Sequence, residues 1–281
     1  MVSLPEDIGQ IATLQYLHLD SLDELNVLPD SVGLLSGIKE LKIVDCSELE
    51  GFPQSVSAME SLTCLVLDGC AVNALPEDIG QLQNLTFMKL SCTGLMELLE
   101  FFGQLGKLRE LILHACYDLA ELPASFSNLS SLETLEIYGG TSLEKLPLGF
   151  EQLPQLRRLE LFNCSISKLP DNFGDLANLK EFKIGPSVAA AVAAATAAAA
   201  ADTACASGAH PCPAAASLIP FPSLQRLKIA GCCNLEFLPK GFDELPRLED
   251  FTLADCKYPR FADQLVWLDT ELFDPCLFVH L

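Results

Sequence analysis

A nine-residue pattern, Leu-x-x-Leu-x-[Leu/Ile]-x-x-Cys, recurs along the chain every 23 or 24 residues, and no other feature constrains the fold as much. Leu62, Leu65, Leu67 and Cys70 make one copy; Leu108, Leu111, Leu113 and Cys116 a second; Leu156, Leu159, Leu161 and Cys164 a third. The opening positions are Leu14, Ile38, Leu62, Leu85, Leu108, Leu132, Leu156, Leu179, Leu224 and Leu248, giving ten units with the eighth disrupted after it. The alternation inside each copy is that of a short strand with one buried face. A unit of this size cannot bury its leucines alone, so the copies must stack and share one continuous core.

The remainder of each unit is a returning arm. In Leu122–Leu146 a Leu-Pro pair opens the arm, Phe126 and Leu129 anchor it, and Gly139-Gly140 turns the chain after the strand. Leu-Pro pairs begin at Leu4, Leu28, Leu75, Leu122, Leu146, Leu169 and Leu238, with Phe52-Pro53 as a variant. Proline lacks an N–H and fixes φ, which suits a first-turn position outside the strand ladder. Leu98-Leu99 lacks the proline, so the arm Glu100–Leu105 is expected to be more regularly helical. The predicted architecture is an α/β solenoid bent into an arc, with parallel strands on the concave face and short irregular or helical arms behind them. Curvature is expected because strands stack closer than the bulkier arms.

The solenoid is expected over residues 1–257, interrupted at 188–216 by an alanine-rich, low-complexity insertion. Alanine favours helix but offers no apolar face to bury, so a protruding insertion is expected rather than an eleventh repeat. Residues 258–281 leave the pattern and are expected to form a cap or tail, with Phe261, Leu265, Trp267, Leu268, Leu272 and Phe273 as its apolar side. The chain opens inside a repeat without a polar capping unit, which suggests a fragment, or stacking on a missing domain or a partner.

Composition narrows the function. There are 38 acidic and 17 basic residues, a formal charge of −21, which opposes binding of nucleic acid. No apolar run reaches membrane-spanning length and the first residues do not form a signal peptide, so no membrane insertion is expected. Of the 12 cysteines, Cys46, Cys70, Cys116, Cys164, Cys232 and Cys256 occupy one repeat slot. They read as buried free thiols in a reducing, cytoplasmic setting rather than as a disulfide framework. The sequons at Asn84, Asn128 and Asn163 do not alter this reading.

The assembled unit, LP-x-x-[Ile/Phe]-G-x-L-x-x-L-x-x-L-x-L-x-x-C-x-x-L-x-x-LP, is illustrated by Leu75–Leu82 and Cys116–Pro123. It resembles the leucine-rich-repeat region of plant intracellular nucleotide-binding immune receptors (disease-resistance proteins), and it is also similar to plant Ras-group leucine-rich-repeat proteins. The resemblance covers roughly residues 3–257 apart from the insertion. It implies a leucine-rich-repeat solenoid that senses an effector or a guarded host protein, or that restrains a nucleotide-binding domain; the Ras-group alternative implies a scaffold for a small GTPase or kinase. The nucleotide-binding loop Gly-x-x-x-x-Gly-Lys-[Ser/Thr] is absent from this chain.

Nothing in the sequence points to catalysis. Neither His-Glu-x-x-His nor Gly-x-Ser-x-Gly occurs, and His18, His114, His210 and His280 lie far apart. Cys205, His210 and Cys212 lack the spacing of a zinc site, and Cys232-Cys233 is explained by the repeat slot, so no metal or cofactor is expected. The working surface is expected to be the concave strand face. Ten basic residues fall in its five outward slots (Lys39, Lys42, Lys89, Arg109, Arg157, Arg158, Lys180, Lys183, Arg226 and Lys228) with twelve acids, a balance of −2 against −19 elsewhere. One slot holds Ser91, His114, Tyr138 and Phe162 in successive repeats, expected to stack as a stripe flanked by Arg157, Arg158 and Lys183. Aromatic and Arg residues on a rigid surface dominate binding energy, so these seven are the candidate contacts for a protein partner.

Overall fold

A computed structural model describes residues 2–92, 94–164, 166, 170, 173–185, 221–230 and 245–254. The expected insertion at 188–216, the expected cap at 258–281, and Cys205, His210, Cys212, Cys232, Cys233 and Cys256 lie outside the described residues.

Twelve strands are described: β1 (Val2–Ser3), β2 (Tyr16–Asp20), β3 (Leu25–Val27), β4 (Glu40–Val44), β5 (Cys64–Cys70), β6 (Phe87–Cys92), β7 (Glu110–His114), β8 (Thr134–Tyr138), β9 (Arg158–Phe162), β10 (Glu181–Ile184), β11 (Arg226–Ala230) and β12 (Asp250–Ala254). Ten of them, β2 and β4 to β12, form one unclosed parallel sheet in which each strand pairs with the next in sequence. Register follows the repeat: Leu41 pairs Leu65, Leu111 pairs Leu135, and Leu135 pairs Leu159. The register passes straight from β10 to β11, where Ile184 pairs Ile229. β1 and β3 form a second short parallel pair on the returning side, continued by a bridge from Val27 to Gly51.

The strands alternate as the leucine columns predict. In β4, β7 and β8 the two inward residues are buried and the three outward ones are half-buried. At the strand exit the chain takes a left-handed step at Ser21, Asp45, Gly69, Ala115, Gly139 and Asn163, with φ between 50° and 77°. At Ser21, Asp45, Ala115 and Gly139 the step lets the N–H reach the next repeat, as Ala115 N–H does to the Tyr138 carbonyl at 2.7 Å. The step swings the following cysteine inward, so Cys46, Cys70, Cys116 and Cys164 are buried free thiols. Three of them reach back to the last inward carbonyl of a neighbouring strand: Cys70 to Ile43, Cys116 to Leu90 and Cys164 to Ile137, at 3.6 to 3.7 Å. Burial pushes the Cys70 and Cys164 thiols up to about 11, so they are poor nucleophiles.

The arms are short 3-10 turns: η1 (Glu6–Gln10), η2 (Asp30–Leu34), η3 (Gln54–Ala58), η4 (Ile79–Gln81), η5 (Glu100–Gln104), η6 (Ala124–Asn128), η7 (Phe150–Gln152) and η8 (Phe173–Asp175). The arm at Glu100 is no more regular than the others, contrary to the expectation from its missing proline. Leu99 adopts φ −75° and ψ 162°, close to the −64° and 154° of Pro123, and η5 has the same five residues as η6. Behind the sheet, Phe102, Phe126, Phe150 and Phe173 stack with ring centroids 6.2 to 6.3 Å apart. On the strand face the corresponding ring pairs are 4.8 to 4.9 Å apart. The repeat is therefore longer at the arms than at the strands, which bends the solenoid with its strands inside.

Candidate functional site

The parallel register turns the outward slots into columns that cross the strands. In the column nearest the strand exits, His114 pairs Tyr138 and Tyr138 pairs Phe162. The His114 and Tyr138 rings meet edge to face at 4.8 Å, and Tyr138 and Phe162 stack at 4.9 Å with 19° between their planes. Both geometries are favourable for aromatic pairs. The column ends at Gly185, where a Cβ would stand 2.9 Å from the Phe162 ring; the glycine lets that ring lie flat against the backbone. At the other end, the Ser91 hydroxyl donates to Asp68, which also accepts from Lys89.

Glu160 braces this stripe. It is a buried charged side chain in the middle of the palm. Its carboxylate accepts from the Tyr138 hydroxyl, from Arg158 Nε at 2.7 Å and from Lys183 Nζ at 2.7 Å. Burial alone would push its pKa up; the hydrogen bonds from Lys183, Tyr138 and Arg158 outweigh that and hold it below the usual carboxylate value. Tyr138 is shifted upward, first by burial and then by its bond to Glu160, so the phenol stays protonated and donates. Arg158 also reaches Glu136 at 3.5 Å and Glu181 at 3.6 Å, and Arg226 reaches Glu181 at 3.4 Å. Glu136 is shifted upward by burial and by the neighbouring Glu160 charge.

The seven candidate residues thus divide into three roles. His114, Tyr138 and Phe162 form the stripe, with Ser91 at its Asp68 end. Arg158 and Lys183 converge on Glu160 and fix the stripe from below. Arg157 stands at the strand entry, five residues before Phe162, about 16 Å away at the strand rise. Glu160 escaped the sequence reading. The column Glu136, Glu160, Lys183 sets two carboxylates beside an ammonium only once the repeats are laid in register, and three donors meeting one carboxylate is a property of side-chain reach.

Further toward β2 the palm carries Val66, Ile112 and Phe87 between charged groups; Val66 is buried and the other two half-buried. Near its end, Glu40 binds Lys42 at 2.9 Å and contacts His18, and the Lys42 hydrogen bond outweighs burial to hold Glu40 below its usual value. No helix among the described residues is long and apolar enough to cross a membrane.

Residues 2–118 match the family described as leucine-rich repeat region, and residues 155–176 match the family described as Leucine Rich Repeat. No curated protein matches the chain. Among solved structures, the fold is similar to TLR13 in its complex with ssRNA13 (TM-score 0.64, 21% identity, over 91% of this chain and 39% of that one). It is also similar to the leucine-rich repeat domain of the type III effector XopL (0.58, 22%, 95% and 78%) and to the protein LIC12759 of Leptospira interrogans (0.53, 23%, 97% and 74%). At these identities the likeness shows the fold alone, a leucine-rich-repeat solenoid.

Proposed function

We propose that this leucine-rich-repeat chain is a non-catalytic protein-recognition module, working through its concave face as the sensing or autoinhibitory part of a cytoplasmic plant immune receptor or of a truncated relative. Leucine-rich-repeat folds typically serve protein–protein interaction, and the structure offers a surface suited to that work. The observation that carries the reading is the stripe His114–Tyr138–Phe162, whose rings pack on one another and whose central phenol is anchored to Glu160. A side chain held in one orientation loses little entropy when a partner docks, so its contact area converts efficiently into affinity. The plant-receptor reading rests on the likeness of the repeat unit. TLR13 has been solved with single-stranded RNA. For this chain the −21 charge favours protein over RNA as partner.

The test is affinity capture of partners by the full chain and by a Tyr138→Ala, Phe162→Ala double variant of verified fold. Loss of about tenfold or more in retained partner is expected, the scale of two aromatic contacts at an interface centre. Equal retention overturns the role of the stripe. Capture of a nucleotide-binding switch domain supports the immune-receptor reading; capture of a small GTPase or a kinase supports a Ras-group scaffold instead.

A further inference from the structure

The strand-entry margin of the palm, opposite the aromatic stripe, carries a row of cations that the fold engages only loosely. Arg109, Glu133, Arg157 and Lys180 occupy the same slot in four successive repeats. Backbone bonds lock the row: Glu133 N–H to the Arg109 carbonyl, Arg157 N–H to Glu133 and Lys180 N–H to Arg157, each 2.8 Å. The row therefore spans three strand spacings, about 14 Å. Arg109 and Arg157 expose 68% and 53% of their side chains, and Lys180 is exposed as well.

Among the described residues the two arginines share one carboxylate. Glu133 lies 3.8 Å from Arg109 and 4.0 Å from Arg157, beyond hydrogen-bond distance, and among the described residues Lys180 meets no carboxylate. Two guanidinium forks, each with five N–H donors, thus stand in register with no acceptor at hydrogen-bond distance among the described residues. Elsewhere on the palm five cations are engaged: Arg158 and Lys183 by Glu160, Lys42 by Glu40, Lys89 by Asp68 and Arg226 by Glu181. In a chain of net charge −21, an exposed row of net charge +2 is a local reversal of sign.

We infer that this margin docks an acidic protein segment, an extended stretch bearing Asp or Glu side chains that lies across the strands from Arg109 to Lys180. About five extended residues cover the row at the rise of a strand. Carboxylates match the guanidinium fork and bind it in pairs of parallel hydrogen bonds. RNA fits less well. Its phosphates come at every nucleotide, whereas Glu133 interrupts the row and Glu110 and Glu181 stand immediately behind it on their strands. A peptide can place its carboxylates at the cations and leave the position facing Glu133 neutral.

The experiment is fluorescence anisotropy of the full chain with three labelled probes: an oligo-glutamate of about eight residues, its oligo-glutamine counterpart and an oligo-uridylate of matching span. The oligo-glutamate is expected to bind at about 50 mM salt and to weaken at about 300 mM, with the oligo-glutamine silent. An Arg109→Gln, Arg157→Gln double variant should weaken binding about tenfold. Glu133→Gln, which removes the competing carboxylate, should tighten it about threefold, a gain that a poorly folded variant cannot imitate. Tyr138→Ala should leave it unchanged, so failure here and failure of the stripe are read separately. Equal binding of oligo-glutamate and oligo-glutamine, indifference to the arginine substitutions, or tighter binding of oligo-uridylate overturns the inference.

Discussion

An imidazole nitrogen sealed from water without a partner opposes folding, and His114 Nε2 is in that position. The ring packs edge-on against Tyr138. Burial, helped by the nearby Lys89 charge, holds its pKa below the usual histidine value against the opposing pull of Asp68 and Glu160. The direction of the pH effect follows. Above the unfolded value of about 6.5 both forms are neutral and nothing is lost. Below it the unfolded chain takes up a proton that the folded chain resists, so stability falls as pH drops through 6.5 toward the folded value. His114→Phe continues the aromatic column without the stranded nitrogen. Urea midpoints should show the variant more stable by about 1 kcal/mol at neutral pH. Its advantage should widen between about pH 7.5 and 5.5. Parallel pH curves for the two proteins would show that His114 is solvated in solution. Tyr138 illustrates the opposite case, a polar atom fully used, because the same hydroxyl that a partner would meet is committed to Glu160.

Among the elements, arm length follows a single slot in the preceding repeat. Among the described arms, each one that follows a glycine in that slot, at Gly9, Gly33, Gly80 or Gly103, has five residues: η2, η3, η5 and η6. A Cβ on these glycines would stand 2.2 to 2.4 Å from the carbonyl oxygen of Ser31, Ser55, Phe101 or Ser125 in that next arm. Where the slot is Ser57 or Ser127 the next arm, η4 or η7, has only three. Gly103→Ala should therefore cost about 1–3 kcal/mol by overpacking. It should also loosen η6, read as faster amide exchange at Phe126 and Leu129, whose N–H groups close that turn. Unchanged exchange would show that the arms slide apart freely. The same rule explains why the missing proline at Leu99 had no effect on η5: Gly80, one repeat earlier, sets the room available. The leucine and cysteine columns were legible in the sequence because the same residue type recurs in one slot and reports its own burial. The glycine slot was visible as a motif letter, but its meaning lies in a neighbour's backbone. Glu160 was less visible still, since it acts through unlike residues from three different repeats.

For the molecule as a whole, 38 acidic against 17 basic residues make self-repulsion a standing opponent of the folded state. Screening relieves it over a Debye length of about 10 Å or less. Adding about 0.3 M sodium chloride should raise the thermal midpoint by roughly 2–4 °C while it weakens any partner held by the Arg109–Lys180 margin. A midpoint that falls with salt would show that palm ion pairs such as Arg158–Glu160 outweigh the long-range repulsion. The direct pairing of β10 with β11 has a consequence of another kind. The chain leaves the ladder at Ile184 and rejoins it at Arg226 after 41 residues (226 − 184 − 1), against 18 between Phe162 and Glu181 (181 − 162 − 1). Closing the longer excursion costs only about 0.7 kcal/mol more, because loop-closure entropy grows with the logarithm of length. That junction is a seam at which genetic material can be added to the chain at almost no thermodynamic penalty, leaving the ladder on either side in step.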